Sequence, residues 1–189
     1  MQHSKQYNRL PVRLIPPVVL ALLAITVLFN CPKAKAQQLF GMTEQGGQND
    51  KGTIFEYNII TAAYTKKFDF DGANGSGPRA GLMKASNGKL YGMTRIGGTN
   101  DVGVIFEFDP ATNVYTKKHD FNISNGRNPF GTLTEGPNGK LYGMALEGGA
   151  GNGGVLFEFD PATALFTKKL DFTGLNGSRP FGNQKVCCH

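Results

Sequence analysis

Histidine and cysteine, which commonly act as nucleophiles, bases or zinc ligands, are scarce in this 189-residue chain. After position 36 they are His119, Cys187, Cys188 and His189. The last three are consecutive and offer sulfur and imidazole ligands, but a closed tetrahedral zinc site needs a fourth ligand, and none is evident in the sequence. No nucleophile elbow, His-Glu-x-x-His motif or phosphate loop occurs. We therefore predict no catalytic residue, no metal site and no bound cofactor.

Oxygen ligands are better spaced in one segment. Residues 69–75 read Asp-Phe-Asp-Gly-Ala-Asn-Gly, which resembles part of a calcium-binding loop. Two equivalent segments, 120–126 and 171–177, have Asn122 and Thr173 in place of the second aspartate. Because only one of three copies keeps the ligand pattern, we predict a turn here and no metal.

The N-terminal segment has the organisation of a secretory signal peptide. A basic stretch ending at Arg13 precedes an apolar run over 18–29, and Ala34 and Ala36 supply the small residues of a cleavage site. A run of about a dozen apolar residues is shorter than the roughly 20 that cross a bilayer. We predict cleavage between Ala36 and Gln37, a secreted, extracellular or cell-surface protein, and no membrane span after processing.

Two alternatives to a signal peptide over 1–36 stay open. One is an uncleaved anchor helix. The other is a lipoprotein acylated at Cys31, although Asn30 stands where a small residue normally precedes a lipidated cysteine.

The formal net charge of +6 belongs almost entirely to the same segment. Residues 1–36 hold five basic and no acidic side chains, which leaves 15 basic and 14 acidic residues in 37–189. A nearly neutral chain lacks the positive field that attracts nucleic acid. We predict no nucleic acid partner.

A 51-residue unit occurs three times in succession without insertion. The copies share a Leu-aromatic-Gly-Met motif, a glycine pair, a Phe-Glu pair, a Thr-Lys-Lys triplet, an Asp-Phe pair and an Asn-Gly pair. Within 37–182 the units are 39–89, 90–140 and 141–182, and residues 183–189 form an irregular tail. Similarity of this density indicates tandem structural units.

Turn residues divide each unit into four short strands. Around the second copy we predict strands over 104–109, 114–121, 130–134 and 140–144, with a polar loop at 122–128. Asp-Pro-Ala-Thr and Pro-Asn-Gly sequences supply turns between these runs. No part of the chain after the signal segment keeps a helical period. The predicted class is all-β.

Aromatic residues mark the predicted interior. Phe106 and Phe108 point to one side of their strand, and Phe157 and Phe159 repeat the pattern, so we predict that all four are buried between stacked sheets.

One acidic residue per unit has basic neighbours on the adjacent predicted strand. Glu107 is expected to pair with Lys117 or Lys118, and the other copies repeat the arrangement. We interpret this pair as structural.

Four strands in about 50 residues is the size of a propeller blade, and the motif order resembles kelch repeats. A glycine pair is followed by two aromatic residues seven positions apart, such as Phe108 and Tyr115, although kelch repeats carry a Trp that this chain lacks. The Leu-Tyr-Gly-Met-Thr and Gly-x-Ile-Phe-Glu-Phe motifs more closely resemble the GloVer (Gloeo_Verruco) tandem repeat of bacterial exported proteins, over about 39–182. That resemblance implies a surface or extracellular location and no established activity.

We therefore expect kelch-like β-propeller blades, about three four-stranded sheets in an open or incomplete ring, after an N-terminal signal helix. Closed propellers need roughly four to eight blades. The first sheet is expected to lack a strand unless residues 180–186 return to pair with 39–43. An irregular end at 183–189 fits a gene fragment, and two such arcs can close as a six-bladed homodimer.

The expected function is an exported or cell-surface, non-catalytic binding module that holds a protein or glycan on the loops of one propeller face. Two alternatives stay open: a fragment of a secreted carbohydrate-active propeller enzyme, and a purely structural surface repeat. Catalysis requires acids that break the repeat symmetry, and the Asp and Glu residues here are mostly repeated ones.

Overall fold

The computed structural model describes residues 37–187, in which every regular element is a β-strand. The predicted signal helix, the residue Ala36 before the cleavage site and Cys31 lie outside the described residues. No helix within 37–187 is long and apolar enough to cross a membrane. The all-β prediction is confirmed.

Twelve strands in this part of the chain form three antiparallel sheets, named here blades 1 to 3. Blade 1 contains β1 (Gln38–Thr43), β2 (Thr53–Asn58) and β3 (Tyr64–Asp69). Blade 2 contains β4 (Met83–Lys84), β5 (Leu90–Thr94), β6 (Val104–Asp109) and β7 (Val114–Asp120). Blade 3 contains β8 (Arg127–Pro129), β9 (Thr134–Glu135), β10 (Leu141–Glu147), β11 (Val155–Asp160) and β12 (Leu165–Asp171).

Each blade is an antiparallel meander. The strand orders are β1-β2-β3, β4-β5-β6-β7 and β12-β11-β10-β8, with β9 also paired to β10. The predicted strand 104–109 is β6, and 114–121 is β7 with its end one residue earlier. The prediction for 140–144 was too short, because β10 continues to Glu147 along β8.

A glycine opposite a phenylalanine fixes the central hairpin of each blade. In blade 2, Gly92 lies opposite Phe106 in the register of β5 and β6. A Cβ atom on Gly92 would lie 2.5 Å from Cζ of that ring, so only glycine leaves room for it. Gly41 and Phe55 form the same pair in blade 1.

The outer strand of each blade carries a β-bulge at the same repeat position. The register of β6 with β7 shifts between Ile105 and Phe106, which leaves Lys118 without a ladder partner. The shifts in blades 1 and 3 leave Lys67 and Lys169 unpaired in the same way. The second lysine of every Thr-Lys-Lys triplet is therefore the extra residue of a bulge.

The predicted strand over 130–134 was wrong in its bounds. The chain pairs with β10 through β8 and β9, and residues 130–133 between them are irregular. Gly131 has a φ of 95°, which a strand residue does not adopt. The end of the predicted loop 122–128 consequently belongs to β8.

Blade 1 has three strands, and residues 180–186 do not pair with β1. This segment instead follows the irregular residues of blade 3. Phe181 stacks on Phe130 with ring centroids 4.5 Å apart, and the Thr132 amide donates to Asn183 Oδ1 at 2.8 Å. The same position one unit earlier uses the Gly81 amide, which donates to Thr132 Oγ1 at 3.1 Å.

The blades pack face to face, as propeller blades do. We define the front face of a blade by the positions of Phe106 and Tyr115, and the rear face by those of Phe68 and Phe70. At junction 1–2, the rear face of blade 1 meets the front face of blade 2, with Phe70 against Phe106 at 5.5 Å. At junction 2–3, Phe121 meets Phe157 at 5.3 Å in the same way.

The predicted interior is confirmed. Phe106, Phe108, Phe157 and Phe159 are fully buried. Ile105 points the other way from Phe106 and is also fully buried, because blade 2 is covered on both faces.

Candidate interaction surface on the glycine loops

Two loops of every blade lie at one end of the molecule, which we call the glycine-loop face. They interlock through backbone hydrogen bonds: the Phe121 amide donates to Gly103 O at 3.0 Å, and the Gly98 amide donates to Gly72 O at 2.8 Å. The loops of this face are 44–52 and 70–77 in blade 1, 95–103 and 121–126 in blade 2, and 148–154 and 172–177 in blade 3.

Side chains of the repeat hold the glycine pairs in place. The Gly97 amide donates to Asp101 Oδ1 at 3.0 Å, and Asp101 adopts a φ of 54°. Asp50 and Asn152 accept the corresponding bonds from Gly46 and Gly148. Both types of side chain tolerate the left-handed region better than most. The side chains of Asp50, Asp101 and Asn152 are thus committed to loop structure.

A second carboxylate per blade closes the same loops. Asp120 Oδ1 accepts from the Thr99 amide at 2.8 Å, and Lys117 lies 3.0 Å from Oδ2. Burial raises the pKa of Asp120, but the Thr99 and Lys117 hydrogen bonds outweigh it and leave the pKa below its usual value. The pKa values of Asp69 and Asp171 are also lowered, chiefly by hydrogen bonds from Lys66 and Lys168. None of these three carboxylates is tuned to hold a proton near neutral pH.

The segment that resembled a calcium loop is a hydrogen-bonded turn. Asp71 Oδ1 accepts from the Asn74 amide at 2.7 Å, and Lys66 lies 2.7 Å from Asp69. Within the described residues no group of three His, Cys, Asp or Glu side chains is placed to hold a metal ion. Cys187 is exposed, and Cys188 and His189 lie outside the described residues.

At the opposite end, blades 2 and 3 each carry a polar network in which a tyrosine donates to the repeated glutamate, whereas blade 1 has Phe40 at the tyrosine position. Tyr142 donates to Glu158 at 2.7 Å, and Lys140 and Lys169 lie 3.0 and 3.6 Å from the same carboxylate. The tyrosine and Lys140 hydrogen bonds lower the pKa of Glu158. Repetition of the network across blades marks it as part of the scaffold.

In blade 2, the bulged Lys118 lies 3.6 Å from Glu107, while Lys117 pairs with Asp120 on another part of the sheet. The predicted pair is therefore Glu107 with Lys118. Nearby, hydrogen bonds from Lys89 and from the Ala111 amide lower the pKa of Asp109 to about 2.

His119 lies inside junction 2–3. Its ring stacks on Phe166 at 4.2 Å, and its Nε2 lies 3.2 Å from Asn125 Nδ2. Burial lowers the pKa of His119, and the charge of Asp120 opposes this effect only in part. The residue serves packing between blades.

The three units differ from each other mainly in the loops of the glycine-loop face and in the residues that adjoin these loops in the chain. One position carries Glu44, Arg95 and Leu146, and the next carries Gln45, Ile96 and Glu147. Another set is Ser76, Arg127 and Ser178, followed by Gly77, Asn128 and Arg179. The strands beneath keep the repeated motifs.

Several of these non-repeated side chains form ion pairs. Arg79 pairs with Glu44, and Glu147 is held between Arg127 at 3.1 Å and Arg179 at 2.9 Å. The sequence interpretation missed these residues because it searched for positions that the copies share. A search for positions at which the copies differ would have found them.

Two open depressions lie on this face. One of about 250 Å³ is lined by Glu44, Gln45, Asp50, Ser76, Gly77, Arg79, Arg95 and Ile96. The other, of about 450 Å³, is lined by Asn100, Val102, Asn122, Ile123 and Ser124. The second includes the start of the predicted loop 122–128, where Ile123 is 63% exposed.

Comparison with known proteins gives a family match and similarities to solved structures, among them the two given below. A model of the Gloeobacter/Verrucomicrobia repeat matches residues 27–185. No curated protein sequence matches the chain. The structure is similar to TolB from Acinetobacter baumannii, with 16% identity and a TM-score of 0.47, over 77% of this chain and 35% of that one. It is also similar to the tricorn protease, with 17% identity and a TM-score of 0.38, over 68% of this chain and 11% of that one.

Proposed function

The chain belongs to the Gloeobacter/Verrucomicrobia repeat family, and from this membership and the geometry above we propose that it is an exported, non-catalytic interaction module that holds a partner protein on its glycine-loop face. The observation that carries the proposal is the contrast between a repeated scaffold and a varied loop surface. Loops on a rigid scaffold are the usual place for binding residues.

The chemistry of the repeated charged groups supports a non-catalytic role. A general acid or base is normally tuned toward the working pH by burial or by a like charge. Here the shifts resolved for Asp and Glu in residues 37–187 are all downward, with amide and lysine donors that stabilise the ionised form.

The surface favours a protein over a glycan. Ile123 is exposed in the depression that Asn100 and Asn122 also line, and Arg95 lines the other depression together with Glu44. An apolar side chain within a polar, charged rim is the usual composition of a protein–protein interface. The aromatic residues of the described loops are Phe70, Phe121 and Phe172, and the first two are fully buried. Pockets for small ligands are commonly lined by aromatic rings. The buried rings of Phe70 and Phe121 cannot line such a pocket, which argues against a glycan.

The binding test compares two exposed apolar residues at opposite ends of the molecule. Ile123→Ser changes the glycine-loop face, and Val114→Ser is the matched control at the start of β7, where Val114 is 54% exposed. Each purified protein is immobilised and exposed to surface and medium fractions of the native cells, and bound proteins are quantified. We expect the wild type and Val114→Ser to retain the same proteins and Ile123→Ser to lose them.

Four results would contradict the proposal. If Ile123→Ser captures as much protein as the wild type, the glycine-loop face is not the binding surface. If the wild type captures no protein, the structural-repeat alternative is favoured. If the wild type binds sugars on a glycan array and captures no protein, the partner is a glycan and not a protein. Release of reducing sugars from polysaccharides by the wild type would favour the enzyme-fragment alternative.

Export is a separate part of the proposal. The basic stretch, the apolar run and the Ala34–Ala36 pair predict a mature N-terminus at Gln37. N-terminal sequencing of protein recovered from the medium should give Gln-Gln-Leu-Phe. An acylated Cys31 or an intact Met1 would contradict cleavage at this site.

A further inference from the structure

The front face of blade 1 and the rear face of blade 3 have no sheet packed against them within the described residues. Tyr64 occupies the position of Tyr115 and is 58% exposed, whereas Tyr115 is half-buried in junction 1–2. Leu39 is 50% exposed, and its equivalents Leu90 and Leu141 are buried. These exposures mark an apolar surface of the kind that protein contacts cover.

The rear face of blade 3 shows the same contrast with blade 2. Leu170 occupies the position of Phe68 and His119 and is 41% exposed. Tyr142 and Met144 are half-buried, whereas their blade 2 equivalents, Tyr91 and Met93, are buried.

We propose that a second copy of this chain covers these faces, with the rear face of blade 3 in one copy against the front face of blade 1 in the other. The contact repeats the geometry of the two internal junctions. The surfaces involved are the two that already meet, position by position, at junctions 1–2 and 2–3.

Polar groups on the open faces match those of the internal junctions. At junction 1–2, the Tyr115 hydroxyl donates to Asn74 O and Lys117 Nζ donates to Ala73 O at 3.2 Å. At junction 2–3, Lys168 Nζ donates to Ser124 O at 3.2 Å.

The corresponding donors on the front face of blade 1 are the Tyr64 hydroxyl and Lys66 Nζ. The corresponding acceptors on blade 3 are the carbonyls of Asn176 and Leu175. The Leu175 side chain is fully exposed, so its loop is accessible to a second copy. Tyr64 and Lys66 would therefore donate to the partner's Asn176 and the partner's Leu175.

A front-to-rear contact is heterologous, and it closes when the rotation per unit completes a ring. Two copies contribute six blades, which lies within the range of about four to eight blades in closed propellers. Both contacts then form in one dimer, and the second benefits from the high effective concentration that the first creates.

The test uses one blocked variant for each face. Tyr64→Asp places a charge on the front face, and Leu170→Asp places one on the rear face. Both side chains are exposed in the isolated chain, so we expect each variant to fold, as circular dichroism and melting curves will show. In analytical ultracentrifugation we expect a dimer for the wild type and a monomer for each variant alone.

Mixing the two variants restores one intact contact, because one copy keeps its rear face and the other keeps its front face. We expect a 1:1 heterodimer about tenfold or more weaker than the wild-type dimer, since it has lost the second contact. A monomeric wild type, or a wild-type dimer that either variant still forms alone, would overturn the proposal. Absence of a heterodimer from two folded variants would also overturn it.

A fluorescence reporter gives an independent measurement. The chain has no Trp, so Leu170→Trp introduces a single emitter at a position where Phe68 and His119 stack on the next blade. We expect its emission to shift to the blue as the protein concentration rises, and not to shift when Tyr64→Asp is also present. A shift that persists with Tyr64→Asp would contradict the assigned contact.

Discussion

Junctions 1–2 and 2–3 use the same repeat positions with different side chains. At junction 1–2, Phe68 stacks on Tyr115 with ring centroids 4.0 Å apart. At junction 2–3, His119 stacks on Phe166 at 4.2 Å, and in both stacks the ring planes differ by 4°. The backbone of the repeat therefore sets the geometry of the stack, and the individual residues set its polarity and its response to pH.

Beneath these outer stacks the two junctions are nearly identical. Phe70 meets Phe106 at an interplanar angle of 65°, and Phe121 meets Phe157 at 66°. Edge-to-face contacts of buried aromatic rings add to the stabilisation from burial. The junctions should thus respond alike to changes in this inner layer and differently to changes in the outer stack.

The largest expected effect is common to both junctions. Phe106→Ala and Phe157→Ala each remove a fully buried ring and should lower the free energy of unfolding by about 3–5 kcal/mol. Phe55→Ala is the matched control, because Phe55 is the equivalent residue on the open front face and is only half-buried. We expect about 1 kcal/mol for the control in a monomeric background such as Leu170→Asp, which leaves the Tyr64 ring stacked on Phe55. Denaturant unfolding measures all three, and a loss under about 1 kcal/mol at Phe106 would contradict the assigned core position.

The pH response should separate the junctions. Because burial lowers the pKa of His119, the unfolded chain binds a proton at a higher pH than the folded chain does. Stability is unaffected by this residue above the unfolded pKa of about 6.5 and falls as the pH drops below it, by at most about 1.4 kcal/mol per pH unit.

His119→Phe copies the Phe68 stack of junction 1–2 and should remove this contribution. We expect the variant to gain stability over the wild type as the pH falls from neutral to mildly acidic, with a constant difference above neutral. Unfolding curves at several pH values provide the measurement. A wild-type and variant difference that does not change with pH would show that the ring is protonated equally in both states.

The smallest expected effect concerns one hydroxyl. Tyr115→Phe removes the donor to Asn74 O and should cost about 1 kcal/mol. Phe166→Tyr places a hydroxyl at the same position of junction 2–3, and we expect it to be neutral or to stabilise by up to about 1 kcal/mol. Thermal unfolding of the single and double variants tests this, and the double variant should be at least as stable as Tyr115→Phe alone. Destabilisation by Phe166→Tyr would show that the junctions differ beyond these side chains.

The sequence was sufficient for the repeated features of the fold. Alternation identified β6, and the same pattern placed Phe106, Phe108, Phe157 and Phe159 in the interior. These predictions succeeded because each depends on local periodicity that three copies confirm independently.

Other features depend on contacts that local patterns do not contain. The bulge that makes Lys118, and not Lys117, the partner of Glu107 has no mark in the Thr-Lys-Lys sequence. The break at residues 130–133 follows from the left-handed conformation of Gly131, and a glycine in a sequence does not reveal which φ it adopts. On the candidate surface, loop 122–128 was predicted, but the ion pairs of Glu147 with Arg127 and Arg179 were not, because the three residues come from segments far apart in the sequence.

The fit of Gly92 against the Phe106 ring has a consequence for how such genes change. The two residues are 14 positions apart, and Gly41 with Phe55 and Gly143 with Phe157 have the same spacing. Each pair lies within one 51-residue unit, so recombination that adds, deletes or exchanges whole units keeps every glycine with a ring that needs it. A larger residue at Gly92 can become established only together with a smaller one at Phe106. The two positions should therefore vary together among relatives.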